Sequence, residues 1–314
     1  MKHRTGIFLK SMWILAFAGI TLSACTSPAP KVEGQKLSVI ATTTIVGDVV
    51  KQVAGENIEL EVLLPPGSDP HAFEAKPADL AMIADADVVF ANGAGLESFL
   101  EPLLQNAGGD AQLVSVSDGI ELLKLEEQHE GEPEPEEHGE FDPHVWHDPR
   151  NVIVWTENIA RALSENDPAH EDQYKQNAAQ YVQLLEQLDV KIEQILQEIP
   201  AENRQLVTDH HVLGYFARRY GFEVIDSIIP GFSTLSSPSA QQLAALIDQI
   251  QQSNLRAIFV GVSMNPNFAE QIARDTGVKL VFVYTGALSV QGEPAATYLQ
   301  MMEYNAQAIA SALK

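Results

Sequence analysis

The chain has 314 residues, with 43 acidic and 19 basic side chains, and a formal net charge of −24. This charge argues against nucleic acid as a partner, because binding to a phosphate backbone requires positive charge. The length suggests two domains of ordinary size, and the single cysteine excludes a disulfide within the chain.

The first residues have the pattern of an export signal. Three basic side chains stand in the first ten positions, and residues 12–20 are apolar over too short a run to span a bilayer comfortably. Small residues before Cys25 match the lipobox of bacterial lipoproteins. We therefore expect a signal peptide over residues 1–24, lipidation of Cys25, and a leash over residues 25–36 that tethers the protein to the outer face of the membrane. An ordinary signal peptide with an incidental cysteine is the alternative.

Two sets of short, β-branched apolar runs follow, separated by helical stretches. Strands are predicted at residues 37–42, 58–64, 87–91 and 112–116, and again at 205–209, 223–229, 256–261 and 279–284. Helices are predicted at residues 47–54, 77–84, 238–252 and 266–276. Near-continuous apolar strands are typical of parallel sheets that are covered on both faces. The pattern predicts an α/β fold of two lobes, residues 37–167 and 200–314, each a mainly parallel four-stranded sheet with flanking helices.

One long amphipathic segment, residues 168–199, lies between the two sets. Its apolar positions alternate in steps of four and three, the stripe of a helix with one buried face. A helix of about 30 residues would be roughly 45 Å long. We expect it to be a rigid connection that packs on both lobes of a monomer, and a dimerising coiled coil is the alternative.

Residues 126–140 form a strongly acidic stretch with eight Glu, two Pro and two His. Its composition cannot bury a core, so we expect a mobile loop. The loop could collect metal loosely through His129, His138 and its carboxylates, or it could be a solvated insertion with no role.

Three other histidine neighbourhoods lie at carboxyl ends of predicted strands or at entries to helices. His71 follows the second strand in a turn-rich loop. His144 precedes Asp148 and Pro149, which can cap and open a helix, and His210 directly follows the fifth strand. Ligands bind at this edge of open α/β sheets, and three imidazoles meeting there would make a zinc-type site. Taken singly, each histidine could also be an ordinary surface residue.

The chain from residue 37 onwards resembles the metal-specific family of periplasmic binding lipoproteins that serve zinc and manganese importers. Residues 67–79 and 142–146 carry the most specific likeness, and residues 210–216, 237–240 and 296–305 carry a weaker one. The resemblance implies that His71, His144 and His210 bind the metal. Manganese-type members tend to have Glu at the third place, so His210 favours zinc over manganese.

One position departs from the family pattern. Gly286 stands in the loop after the last strand, where the resemblance implies an Asp as the fourth ligand. The fourth position must then be filled by water, by His147 or His211, or by a loop group such as His129, His138 or a glutamate.

The sequence thus predicts an exported, lipid-anchored binding protein that captures zinc and delivers it to an ABC permease, and not an enzyme. The linking helix should limit hinge closure between the lobes. Two alternatives come from the same residues. A zinc-dependent hydrolase could use a three-histidine site with an open position, although the sequence offers no convincing general base. A manganese-binding or adhesin-type lipoprotein is the other.

Overall fold

The computed structural model describes residues 36–124, 141–253 and 255–314. The predicted signal peptide, Cys25, and the acidic loop with His129 and His138 lie outside these ranges. Within them, no helix is both long and apolar enough to cross a membrane.

The first lobe is built on a wholly parallel sheet. Its strands are β1 (Leu37–Ala41), β2 (Ile58–Val62), β3 (Val88–Ala91) and β4 (Gln112–Ser115), and its helices are α1 (Thr44–Ala54), α2 (Pro77–Ala84), α3 (Leu100–Ala107) and α4 (Pro149–Asn166). The strand order is β2-β1-β3-β4. Side chains of β1 alternate between two cores, Val39 in one and Ile40 in the other. The sheet is therefore covered on both faces, as its continuous apolar strands predict.

The second lobe repeats this arrangement. Its strands are β5 (Gln205–Thr208), β6 (Glu223–Ser227), β7 (Ala257–Gly261) and β8 (Lys279–Val283), and its helices are α6 (Gly214–Tyr220), α7 (Ala240–Ser253), α8 (Asn267–Thr276) and α9 (Tyr298–Leu313). All strands are parallel, in the order β6-β5-β7-β8. The ladder around β5 is irregular. Its register against β6 shifts between Leu206 and Val207, and its pairing with β7 is confined to Thr208 and Phe259.

The long amphipathic segment is helix α5 (Glu171–Leu196), 26 residues in one element. It packs against α1 and α4 of the first lobe and against α9 of the second. One continuous core runs from the first lobe through the apolar stripe of α5 into the second lobe. The stripe is thus buried within the chain, and this confirms the predicted helix that joins two parallel α/β lobes.

Polar contacts also fix α5 to both lobes. The carboxylate of Asp189 accepts from Arg219 Nε at 2.9 Å and Nη2 at 2.6 Å, and from the Tyr220 hydroxyl at 2.9 Å. Arg150, at the start of α4, lies 3.5 Å from the same carboxylate. Paired acceptance from one guanidinium is geometrically specific, so Asp189 holds α5, α4 and α6 in register.

Trp146, which lies just before α4, links the two lobes by hydrogen bonds. Its indole Nε1 donates to the Thr285 carbonyl at 2.9 Å, and its own carbonyl accepts from the Tyr298 hydroxyl at 2.7 Å. All three residues are almost wholly buried. Breaking such bonds leaves unsatisfied buried groups, so wide opening of the lobes is disfavoured.

Candidate metal centre

Three histidines from different parts of the chain meet between the lobes. His71 Nε2 lies 3.0 Å from His144 Nε2, which in turn lies 3.3 Å from His210 Nε2. One ring nitrogen from each residue lies within 4.8 Å of the others, and these three form the single such group of His, Cys, Asp and Glu in the described ranges. The sequence-predicted site residues of both lobes are therefore brought together.

His71 stands in a short 3-10 turn, Pro70–Ala72, that follows β2. Asp69 caps this turn: its Oδ1 accepts from the His71 backbone N–H at 3.0 Å. Its other oxygen accepts from the Thr234 hydroxyl of the second lobe at 2.6 Å. Asp69 thus fixes the His71 backbone and links the two sides of the site. The His71 side chain is partly exposed.

His144 is buried at the entry to α4, one residue before the 3-10 turn Val145–His147. Asp142 Oδ1 accepts from its backbone N–H at 2.9 Å and lies 2.8 Å from its Nδ1. The α4 helix then begins as predicted, with the Asp148 side chain accepting from Arg150 N–H and Pro149 in the first position. The ring of His144 is held with Nε2 turned towards the other two histidines.

His210 is the second residue after the end of β5 and is also buried. Asp209 Oδ1 accepts from its backbone N–H at 2.7 Å and lies 2.5 Å from its Nδ1. Asp209 Oδ2 accepts from the backbone N–H of Gly261 at the end of β7. One carboxylate therefore orients the imidazole and joins two strand ends where the ladder is irregular.

These contacts decide what the three rings can bind. When Nδ1–H of a histidine donates to a carboxylate, its Nε2 presents a lone pair, the usual arrangement of a metal-bound imidazole. Lone pairs of neutral rings repel at such short range unless a cation lies between them. Nitrogens at about 2.0–2.1 Å from a tetrahedral zinc ion are roughly 3.3 Å apart. The spacings of His144 Nε2 from His71 Nε2 and from His210 Nε2 fit a first-row divalent cation.

Burial sets the protonation of this site. It raises the pKa of Asp142 to about 8, although the His144 backbone N–H and Arg218 oppose the shift. Burial, followed by repulsion from His210 and His71, lowers the pKa of His144 well below its ordinary value. His144 is therefore neutral at physiological pH, as a metal ligand must be.

The histidines line a small pocket whose wall includes Asp69, Thr234 and Gly286. The loop after β8 thus faces the three imidazoles. A Cβ atom added to Gly286 would lie 3.0 Å from Pro70 Cδ, in the turn that carries His71. Glycine here allows the two loops to approach closely.

The structure places His147 and His211 outside the three-histidine group. His147 is fully buried, and neither of its ring nitrogens has a hydrogen-bond partner in the described ranges. Burial lowers its pKa to about 3, which the Thr285 backbone only partly opposes. His211 is partly buried, with its ring 6.3 Å from that of Phe232.

Sequence reasoning missed the carboxylates that hold the histidines. Asp142 lies in a stretch that resembles the family and Asp209 at the end of a predicted strand, but the sequence alone indicates a role for neither. An acidic residue one or two positions before a candidate histidine was the available signal. Thr234, which reaches Asp69 from the other lobe, had no such signal because its loop is placed only by the fold.

Comparisons with known proteins identify the family of the chain. The family profile of ZnuA, the zinc-uptake complex component A periplasmic, matches residues 39–312. The manganese ABC transporter substrate-binding lipoprotein PsaA of Streptococcus pneumoniae serotype 4 is 32% identical over 313 residues, 97% of this chain and 98% of that protein. The manganese-binding lipoprotein MntA of Halalkalibacterium halodurans is 33% identical over 282 residues, 90% of each.

The fold is also similar to a solved structure, the periplasmic zinc binding protein TroA from Treponema pallidum. The TM-score is 0.80 at 31% sequence identity, over 89% of this chain and 99% of that one. The matched relatives are substrate-binding proteins, so this chain is a binding protein and not the hydrolase that three histidines also allowed. It belongs to the ZnuA family of metal-binding, substrate-binding proteins of ABC importers.

Proposed function

We propose that the chain captures zinc through the Nε2 atoms of His71, His144 and His210 and delivers it to a membrane permease. The observation that carries this proposal is the convergence of three imidazole nitrogens from both lobes within 4.8 Å. Two of the rings, His144 and His210, are buried and oriented by carboxylates, the support that metal-binding histidines need.

The choice of zinc rests on the donor set. The group of potential ligands in the described ranges contains nitrogen alone, with no carboxylate. Imidazole nitrogens in fourfold geometry suit zinc, whereas manganese prefers more oxygen. Gly286 offers no side-chain oxygen, and His147 and His211 lie outside the three-histidine group. We therefore assign the fourth position to water or to a group of the acidic loop, such as His129 or His138. The likeness to TroA, a zinc binding protein, agrees with this choice.

Manganese is the second candidate, because PsaA and MntA are both described as manganese proteins. The two metals are separated by competition titration of the purified protein with Zn²⁺ and Mn²⁺. We expect one tight zinc site, with manganese displaced by equimolar zinc. Tighter binding of manganese would overturn the zinc assignment and leave the metal site itself standing.

Export and lipidation at Cys25 complete the proposal, since PsaA and MntA are lipoproteins. Two or more acyl chains give stable anchoring, so the protein would act at the outer face of the membrane as a monomer. A Cys25→Ser protein should leave the membrane fraction and become soluble. If it stays membrane-bound, the lipid-anchor assignment is wrong.

A further inference from the structure

A backbone turn of unusual conformation follows β3 in the first lobe. Gly93, Ala94 and Gly95 have consecutive φ values of 78°, 51° and 85°, and Ala94 is the single non-glycine residue with positive φ in the described ranges. L-residues rarely adopt this region, so such turns persist only where surrounding contacts impose them. Contacts of this kind are present on both sides of the turn.

The Glu97 carboxylate holds the turn by accepting hydrogen bonds from its backbone. Its Oε1 accepts from the Asn92 backbone N–H and from the Thr42 hydroxyl, both at 2.7 Å, and its Oε2 accepts from the Gly93 N–H at 3.0 Å. Thr42 directly follows β1 and Asn92 directly follows β3. We call Thr42, Asn92, Gly93 and Glu97 the Glu97 clamp, because one carboxylate joins the ends of the two central strands.

The side chain of Asn92 leads from this clamp to the metal centre. It is wholly buried, and its Nδ2 donates to the Gly93 carbonyl at 2.7 Å and to the Pro143 carbonyl at 3.0 Å. Pro143 immediately precedes His144. Since proline has no backbone N–H, its carbonyl is the one backbone group through which this residue can be anchored by hydrogen bonding.

We propose that Asn92, held by Glu97, is a positioning residue of the metal centre: it fixes the Pro143 carbonyl and with it the direction of the His144 ring. This inference rests on the proposed metal-binding function. Asp142 sets the ring on one side of Pro143 through its carboxylate, and Asn151 holds the Val145 carbonyl on the other. Asn92, which follows β3, holds the Pro143 carbonyl, between the contacts made by Asp142 and Asn151.

The test compares two asparagines that make the same kind of contact. Asn158 Nδ2 also donates to two backbone carbonyls, those of Val116 and Asp118, each at 2.9 Å, but it lies on α4 away from the histidines. Asn92→Leu and Asn158→Leu each remove both contacts to carbonyls and keep the number of side-chain heavy atoms. Asn158→Leu also removes the bond that Asn158 Oδ1 accepts from Arg161 Nη2 at 2.8 Å. Thermal stability without metal, zinc affinity by competition, and the absorption spectrum of bound Co²⁺ are measured for both.

We expect Asn92→Leu to lose zinc affinity by about tenfold or more, the usual cost of losing an outer contact to a metal ligand, and to alter the Co²⁺ spectrum. Asn158→Leu should lose stability while its affinity and spectrum match the wild type. If Asn92→Leu lowers stability alone, Asn92 only satisfies a buried carbonyl and the inference is wrong.

A milder variant covers failure of Asn92→Leu to fold. Glu97→Gln removes the negative charge that accepts the backbone N–H groups and leaves Asn92 in place. We expect Glu97→Gln to lose less zinc affinity than Asn92→Leu. Unchanged affinity in a folded Glu97→Gln protein would overturn the inference. Absence of tight zinc binding by the wild type would instead refute the proposed function, so the two failures are distinguishable.

Discussion

The two lobes share a strand order but hold their histidines in different ways. In the first lobe, the carboxylate that joins the central strands, Glu97, is separated from His144 by Asn92 and Pro143. In the second lobe, Asp209 both joins β5 to β7 and contacts the His210 ring. In the first lobe, different residues join the strand ends and orient the histidine ring, whereas in the second lobe Asp209 does both. Repeated topology thus fixes where ligands emerge, while local polar contacts decide how firmly each is held.

The largest expected loss of zinc affinity comes from removing one of the three histidine ligands, in either lobe. His71→Ala, His144→Ala and His210→Ala should each weaken zinc binding by more than about a hundredfold, beyond the effect of losing an outer contact. His170→Ala is the matched control, because His170 is exposed at the start of α5 and bonded to Asp167. Calorimetric titration measures the change. Retained tight binding in any of the three variants would remove that residue from the site.

The next prediction separates the lobes. Asp142→Asn and Asp209→Asn should each lower zinc affinity by about 10- to 100-fold, since both carboxylates orient a ligand ring. Only Asp209→Asn should also lower the melting temperature of the metal-free protein, because Asp209 joins two strand ends. Asp142 Oδ2 has no hydrogen-bond partner in the described ranges, so its replacement should cost little stability. Equal melting temperatures for the two variants would contradict this contrast.

A smaller effect should appear in the pH dependence of zinc affinity, through Asp142 beside His144. Asp142 has a pKa raised to about 8 in the metal-free protein, whereas zinc at His144 requires its carboxylate to accept from Nδ1–H. Zinc binding should therefore release a proton below pH 8. A single group of this pKa predicts that affinity rises about fivefold from pH 7 to pH 8 and then levels off. Calorimetry in buffers of different ionisation enthalpy measures the proton release, and Asp142→Asn should abolish it.

The smallest effect concerns the loop after β8, where Gly286 lines the cavity without a side chain. Gly286→Asp adds an oxygen donor beside the three nitrogens and should shift preference towards manganese, a harder ion, by about threefold. The gain is limited because the new Cβ lies 3.0 Å from Pro70 Cδ, so the His71 turn must move. The ratio of Zn²⁺ to Mn²⁺ affinity measures the shift. An unchanged ratio would mean that this loop does not contact the bound ion.

Much of the fold was predictable because its signals are local. Continuous apolar runs such as Val88–Ala91 indicate buried parallel strands, and the stripe of α5 indicates a helix buried along one face. Pro149 after Asp148 marks the start of α4. The three candidate histidines followed from their positions at strand ends and helix entries, together with family likeness.

The remaining features depend on contacts between distant segments. Asn92 and Pro143 are far apart in the chain, and no spacing rule joins them. The bond from Trp146 to Thr285 likewise arises only when both lobes are folded. The double role of Asp209 depends on the irregular pairing of β5, which propensity and hydrophobic pattern do not encode.

The position of Trp146 has a practical consequence. Its indole ring lies 5.4 Å from the His144 ring and 6.5 Å from that of Trp155. The chain has three tryptophans, and Trp13 falls within the predicted signal peptide. Tryptophan fluorescence of the processed protein would then come from the adjacent pair Trp146 and Trp155. A divalent charge arriving at His144 lies close enough to change that emission, so the protein carries its own optical reporter of metal capture.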